Sequence, residues 1–353
     1  MACRRVLLLL TGWSPAVLAA GVNLPSPVTG VAQDIYDLHM LLLYITGGIF
    51  VLVFGVMFWA ILRHRKSAGH QAKHFHENTT VEIIWTLIPL LILVAMAWPA
   101  TRLILQQKSS AGAELTIKVT GYQWKWHYDY LDDGVAFMSH LATPQSAIHQ
   151  VADRGEHYLL EVDQPLVVPT GTKVRLLLTA NDVIHAWWVP QLGVKQDAIP
   201  GFVRDVWFKV DRPGTYRGQC AELCGKDHGF MPIVVEAKAP ADYQAWLAAR
   251  QKTAAANLED PNKVWPLAEL MARGEKVYTQ NCVACHQANG KGAGPIKPLD
   301  GSAIVTDTDH GKMINVLLNG AAGGAMPAWK QLSDTELAAV MTFSKNSWSN
   351  KTE

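Results

Sequence analysis

No Lys, Arg, Asp or Glu occurs between Leu38 and Leu62. At ~1.5 Å per helical residue this run exceeds the ~30 Å hydrocarbon core of a bilayer, so the first thing the sequence dictates is a membrane-spanning helix. A second uncharged run, Ile83 to Thr101, lies between Glu82 and Arg102, with Trp85 and Trp98 near its ends as interfacial anchors. Between the runs lie Arg63, Arg65, Lys66 and Lys73, whereas Gly21 to Asp37 holds two Asp and no cation. The cation-rich loop is therefore expected on the cytoplasmic side, and everything after about Gln106 on the outer side of the membrane, a bacterial periplasm. Val6 to Ala20, behind Arg4-Arg5 and ending in Ala19-Ala20-Gly21, reads as a secretory signal peptide. A short first anchor is the competing reading, with Pro15 interrupting it. Charged residues are 17% of the chain, against roughly 25% in soluble domains, and 31 basic against 30 acidic side chains leave a charge of +1. That balance excludes a polybasic nucleic-acid binder.

The outer region begins with short, β-branched or alternating segments: Leu115-Thr-Ile-Lys-Val119, Lys173 to Leu178, Asp205 to Val210 and Pro232 to Val235. Turn signals such as Asp-Asp-Gly and Pro-Thr-Gly separate them, and no long helix intervenes, which predicts an antiparallel β-sandwich over about Ala113 to Ala237. Five cysteines occur. With Cys3 in the signal segment, two close pairs remain, and disulfides are the default in this compartment. Each pair nevertheless sits among His and Met. Cys220-Ala-Glu222-Leu-Cys224-Gly-Lys-Asp-His228-Gly-Phe-Met231 concentrates thiolate, imidazole and thioether donors between two strands, and His185 precedes it at a strand end. Soft donors of this kind suit copper, and two thiolates exceed what a single-copper blue site needs. Two copper ions bridged by the sulfurs fit the set. Structural zinc from Cys2His2 and a disulfide are the alternatives, and neither uses Met231.

This stretch resembles the cupredoxin domain of subunit II of haem–copper cytochrome c oxidases. Asp182-Val-Ile-His185-Ala-Trp187-Trp-Val-Pro190, Asp197-Ala-Ile-Pro200-Gly201, Gly121-Tyr122-Gln123-Trp124-Lys-Trp126 and Val81-Glu82-Ile-Ile-Trp85-Thr86 extend the likeness over about Ile35 to Val235. The resemblance implies a binuclear centre of two copper ions bridged by Cys220 and Cys224 and capped by His185 and His228. Met231 would ligate one metal and Glu222 the other, through its carbonyl. It also implies a Mg²⁺ or Mn²⁺ site at the Glu222 side chain shared with subunit I, electron entry at Trp124, and Glu82 at the entrance of a proton path. Lys125 stands where mitochondrial members carry another aromatic. An acid in the first turn of a helix is also favoured by the helix dipole alone, so Glu82 keeps a purely local reading beside the functional one.

After Val235 the composition turns Ala-rich, with a polar-helical stretch Lys238 to Lys252 and a linker through Pro261. Cys282-Val-Ala-Cys285-His286 is the attachment signature of a c-type haem, with thioethers to both cysteines and His286 on the iron. A redox-active C-x-x-C is the competing reading. Met326, in Gly323-Gly-Ala-Met326-Pro, is expected as the second axial ligand. It is preferred over Met313 and Met341, which fall in amphipathic helical patterns. The flanking helices resemble a class I cytochrome c.

The expected architecture is a two-helix transmembrane hairpin, an all-β cupredoxin-like Greek-key sandwich and an all-α class I cytochrome c domain. The expected division is signal peptide 1–20, outer segment 21–37, hairpin 38–105, copper domain 106–237, linker 238–263 and haem domain 264–353. Together the resemblances imply subunit II of a caa3-type oxidase in the bacterial inner membrane, working with subunit I, an external cytochrome c or similar donor, and membrane lipid. A haem–copper nitric-oxide reductase subunit, or a membrane-anchored carrier without a catalytic partner, fits the same residues.

Overall fold

The computed structural model describes residues 23–352 except 66, 68, 70–75, 149, 150, 152, 257–262, 293, 295, 322–325 and 331, so the expected signal peptide lies outside the described residues. The chain divides into two compact units, Met1–Gln251 and Lys252–Glu353.

Helices α1 (Gly30–Arg63) and α2 (Thr79–Gln107) form the hairpin. Both leave long apolar faces uncovered, as a bilayer requires. Helix α1 starts well before Leu38, so the end of the expected outer segment, from Gly30 on, is helical. The reason is a cap the apolar pattern does not reveal. The Thr29 hydroxyl oxygen accepts from Ala32 N at 3.0 Å and donates to the Leu192 carbonyl at 2.9 Å, and both bonds are buried. Val31 and Ala32 then bury against the β domain. Gly193 at φ +69° makes this possible, because a Cβ there would lie 2.8 Å from Ala32 Cα. At the same end of the hairpin, where α2 runs out, Trp207 Nε1 donates to the Gln106 carbonyl at 3.3 Å, and Lys173 Nζ donates to Ser109 and Ala111 carbonyls at 2.9 and 2.7 Å. These bonds receive backbone acceptors that the ending helix cannot satisfy itself.

The sandwich has ten strands: β1 (Leu115–Tyr122), β2 (Lys125–Tyr130), β3 (Val135–Ser139), β4 (Leu166–Pro169), β5 (Lys173–Ala180), β6 (His185–Val189), β7 (Val194–Ala198), β8 (Arg204–Lys209), β9 (Gly214–Cys220) and β10 (Pro232–Lys238). One sheet runs β3-β2-β1-β5-β8 and the other β4-β10-β9-β6-β7. Period-two burial is clean in β5, where Val174, Leu176, Leu178 and Ala180 point inward. Trp126, Tyr128, Tyr130, Trp187 and Phe208 fill the space between the sheets. The sandwich is not wholly antiparallel: β1 pairs with β5, and β4 with β10, in parallel. Crossovers between the sheets bring each of these strands in beside one that runs the same way.

The polar-helical stretch expected over Lys238 to Lys252 is helix α3 (Pro240–Ala256). Tyr243, Trp246 and Leu247, at helical spacing, pack on the sandwich core.

In the second unit, α4 (Leu267–Asn281), α5 (Val283–His286), α6 (Gly311–Asn319) and α7 (Asp334–Asn346) surround a small core of Val277, Tyr278, Met313, Leu317, Trp329 and Met341. Ser333 and Glu336 form a reciprocal capping box that starts α7. Helices α4 and α7 touch at Gly274, where a Cβ would lie 2.1 Å from the Ala339 carbonyl oxygen. Gly274→Ala is expected to destabilise this domain by about 1–3 kcal/mol through overpacking. Denaturant unfolding of the haem-loaded chain, followed at the haem band, checks this; an unshifted midpoint contradicts it.

Candidate metal and haem sites

Six potential donors converge at one end of the sandwich. The turn after β9 presents Cys220 and Cys224 with their sulfurs 3.8 Å apart, far from the ~2.05 Å of a disulfide, and both thiols are free. His185, at the start of β6, is fully buried with Nδ1 3.9 Å from Cys220 Sγ. His228 Nδ1 lies 3.4 Å from Cys224 Sγ, and Met231 Sδ lies 3.5 Å from the same sulfur. The Glu222 carbonyl turns inward to accept from Cys220 Sγ at 3.4 Å, while the rest of Glu222 is exposed. His185, Cys220 and Cys224 alone place their ligand atoms within 4.8 Å of one another. Six donors around two adjacent sulfurs exceed the four of tetrahedral zinc, and thioether beside thiolate is the chemistry of copper.

The electrostatics explain why this cluster calls for cations. The hydrogen bond from Cys224 holds the Cys220 thiol down at about 3, with burial opposing and His185 assisting, and the resulting thiolate pushes Cys224 well up. One negative charge is comfortable here, and a second requires positive metal beside it. Burial works against a charged His185, but its bonds to Asp182 and Cys220 outweigh that and raise it.

The sequence did not single out the residues that hold these donors in place. Asp182 Oδ1 accepts from His185 Nε2 at 2.8 Å, which turns Nδ1 toward the sulfurs. Its Oδ2 accepts from the Gln123 backbone N–H at 2.8 Å. Gln123 Nε2 and Trp124 Nε1 both donate to the Cys224 carbonyl, at 2.8 and 3.2 Å. The β1–β2 turn thereby ties the two sides of the cluster together. Gly121 leaves room for the imidazole, since a Cβ there would meet His185 Cδ2 at 2.8 Å. Gly225, at φ +120°, lies under Gln123 and the Trp124 ring. Lys226 Nζ stands 5.8 Å from the centre of that ring, and the neighbouring Lys125 is buried in β2. Asp182→Asn is expected to weaken copper binding about 10–100-fold with both thiols intact. Copper titration of the whole chain checks it, and unchanged affinity contradicts it.

Glu82 lies in the first turn of α2, with Oε1 3.4 Å from Asn78 N, while the Asn78 side chain accepts from Val81 N. It is thus part of a local cap at the end of the hairpin remote from the sandwich.

In the second unit, Cys282 and Cys285 flank one turn, with Cys285 N donating to the Cys282 carbonyl at 3.1 Å, and neither forms a disulfide. His286 is buried, and its Nδ1 donates to the Lys297 carbonyl at 3.2 Å, which leaves Nε2 with the lone pair for an iron. Burial lowers its pKa and favours the neutral, ligating ring. The following loop is pinned by Tyr278 Oη to the Gln287 carbonyl at 2.7 Å and Trp348 Nε1 to the Ala288 carbonyl at 2.9 Å. These features fit a covalent haem. Met326 is half-buried against the domain core and bridges to Ala321, with 322–325 outside the described residues. Met313 and Met341 are buried on helices in the same core.

Residues 17–103 match the family model "Cytochrome C oxidase subunit II, transmembrane domain", and 115–238 match "Cytochrome C oxidase subunit II, periplasmic domain". Residues 269–343 match "Cytochrome C oxidase, cbb3-type, subunit III". A probable cytochrome c oxidase subunit 2 of Rickettsia prowazekii is 40% identical over 241 residues, 68% of this chain and 75% of that protein. Cytochrome c oxidase subunit 2 of Cereibacter sphaeroides is 35% identical over 240 residues, covering 64% and 79%. The crystal structure of the periplasmic domain of subunit II of the Bradyrhizobium japonicum cytochrome oxidase is 40% identical, with TM-score 0.37, over 41% of this chain and 99% of that one. With two membrane-length helices, a β-sandwich and a helical haem-type unit in that order, this chain belongs to the cytochrome c oxidase subunit II family and carries a cytochrome c domain fused behind it.

Proposed function

We propose that this chain is the electron-entry subunit of a caa3-type oxidase of the bacterial inner membrane. It takes electrons from an external cytochrome c or similar donor into its C-terminal domain and passes them to the sandwich. From there it delivers them to haem a of subunit I, where O2 is reduced to water with proton pumping. The observation that carries this reading is the six-donor cluster at Cys220 and Cys224, joined on one membrane-tethered chain to a buried His286 beside two cysteines that form no disulfide.

Two copper ions would be held by Cys220 and Cys224 as bridging thiolates, by His185 and His228, by Met231 through sulfur and by Glu222 through its carbonyl. One haem would be held by Cys282 and Cys285 as thioethers and by His286 and Met326 on the iron. Bound, these groups supply one-electron couples: a copper pair that spreads its charge change over two metals, and a haem whose His/Met ligation gives the potential of an electron carrier. The protein supplies the rest. Buried Trp187, Trp126 and Met231 exclude water from the sulfurs, and Asp182 and Gln123 fix the ligand orientations. Trp124, bonded to the Cys224 carbonyl and flanked by Lys226, is the aromatic entry to the sandwich. The exposed Glu222 carboxylate is free to ligate Mg²⁺ or Mn²⁺ shared with subunit I. Glu82, at the cytoplasmic end of the hairpin, marks the mouth of a proton path.

Anaerobic rapid mixing of the whole complex with limiting reduced donor tests the order. The c haem is expected to reduce first and to reoxidise as the haem of subunit I reduces. Reduction of the subunit I haem in step with, or ahead of, the c haem overturns the reading.

A further inference from the structure

The outer ends of α1 and α2 enclose a cleft of about 400 Å³ that none of the electron-transfer residues line. Its rim is polar, with Asp34 and Asp37 on α1 facing Arg102 and Gln106 on α2, and its deeper part is apolar, lined by Leu41 and Pro99. The volume falls within the ~300–1,000 Å³ of ligand sites. Among the described residues Arg102 forms no ion pair, although two carboxylates line the same cleft.

The depth of the cleft identifies the kind of molecule it meets. Helix α1 has 34 residues. At 1.5 Å each it spans about 51 Å, so about 10 Å projects beyond the ~30 Å hydrocarbon at each end. Asp34 falls in the second turn of α1 and Asp37 at the start of the third, and Arg102 lies within the last two turns of α2. This is the end bonded to the sandwich through Thr29 and Trp207. The charged rim therefore lies at the headgroup layer of the outer leaflet, and Leu41 and Pro99, one turn deeper on each helix, lie at the start of the acyl region.

The chemistry of the rim selects among headgroups. A guanidinium offers a planar fork of donors matched to phosphate oxygens, and the Gln106 amide can add another. Two carboxylates opposite one guanidinium leave the rim net negative, so an anionic headgroup lacking an amine adds repulsion. A quaternary choline has no N–H for the carboxylates to accept, whereas a primary ammonium has three. We propose that this cleft binds one outer-leaflet phosphatidylethanolamine, with its phosphate at Arg102 and Gln106, its ammonium at Asp34 and Asp37, and its acyl chains leaving over Leu41 and Pro99. A lipid held there joins the two helices at their outer ends, independently of copper or haem.

The test uses the whole oxidase complex, delipidated and then offered phosphatidylethanolamine, phosphatidylglycerol or inorganic phosphate, with bound lipid read by native mass spectrometry. The expected result is one phosphatidylethanolamine retained per chain, phosphatidylglycerol not retained, and no displacement by millimolar phosphate. Arg102→Gln, and separately Asp34→Asn with Asp37→Asn, are expected to lower that occupancy at least tenfold while copper and haem contents stay as in the parent. Wild-type lipid retention in either variant, equal retention of phosphatidylglycerol, displacement by phosphate, or a parent complex carrying no such lipid overturns the proposal.

Discussion

Replacing Cys220 by Ser leaves the complex with its c haem reducible and the haem of subunit I starved of electrons. The expected magnitude follows from position. Outer-sphere partners of a metal site are worth 10–100-fold in affinity, and Cys220 is no outer partner: it contacts Cys224 at 3.8 Å, His185 at 3.9 Å and the Glu222 carbonyl at 3.4 Å. A hydroxyl in its place is a hard, weakly acidic donor that bridges soft metal poorly. Copper retention is therefore expected to fall by more than about 100-fold, and turnover from the external donor with it. Cys224→Ser should do the same, since Cys224 meets both His228 and Met231. Metal analysis and donor-driven oxygen uptake of the complex check this. A Cys220→Ser complex with parental copper content and uptake contradicts the bridging assignment.

The second large effect concerns the fused domain. Cys282→Ala with Cys285→Ala removes both thioether positions and is expected to abolish covalent haem, so that no haem stain remains with the chain after denaturation. The domain's core is small, built from α4, α6 and α7 around residues such as Val277, Leu317 and Met341, and domains of this size have only ~5 kcal/mol to spare. The apolar face meant to cover a haem is then left to water, and limited proteolysis should cut within 264–353 while the sandwich stays whole. Covalent haem in the double variant contradicts the attachment assignment, and a protease-resistant C-terminal unit contradicts the dependence of its fold on haem.

The two membrane helices and the two donor motifs were legible because each rests on local rules. Hydrocarbon tolerates no charge over a long run, and C-x3-C-x3-H-x2-M or C-x-x-C-H puts its donors within a few residues of one another. Asp182 and Gln123 were not legible as ligand holders. Gln123 meets Cys224 across 101 residues of sequence, and only the β1–β2 turn and the β6–β9 pairing bring them together. The early start of α1 was hidden because Asp34 and Asp37 look like a loop until Thr29 is seen to cap a helix on the sandwich. The parallel strand pairs were hidden for a related reason: alternation tells which residues face inward, not which way a neighbouring strand runs. Helix α3 was legible as the polar-helical stretch Lys238 to Lys252; what that polarity hid is that Tyr243, Trp246 and Leu247 pack on the sandwich.

Copper and haem counted per chain in the purified complex, with the electron paramagnetic resonance spectrum of its copper, test whether one chain holds both a binuclear copper centre and a covalent haem. Two coppers bound by this subunit are expected for each covalent c haem, with hyperfine splitting from two equivalent copper nuclei sharing one unpaired electron. A single copper with ordinary one-nucleus splitting, or zinc at Cys220 and Cys224 with the haem intact, would contradict it and leave a tethered cytochrome beside a structural metal.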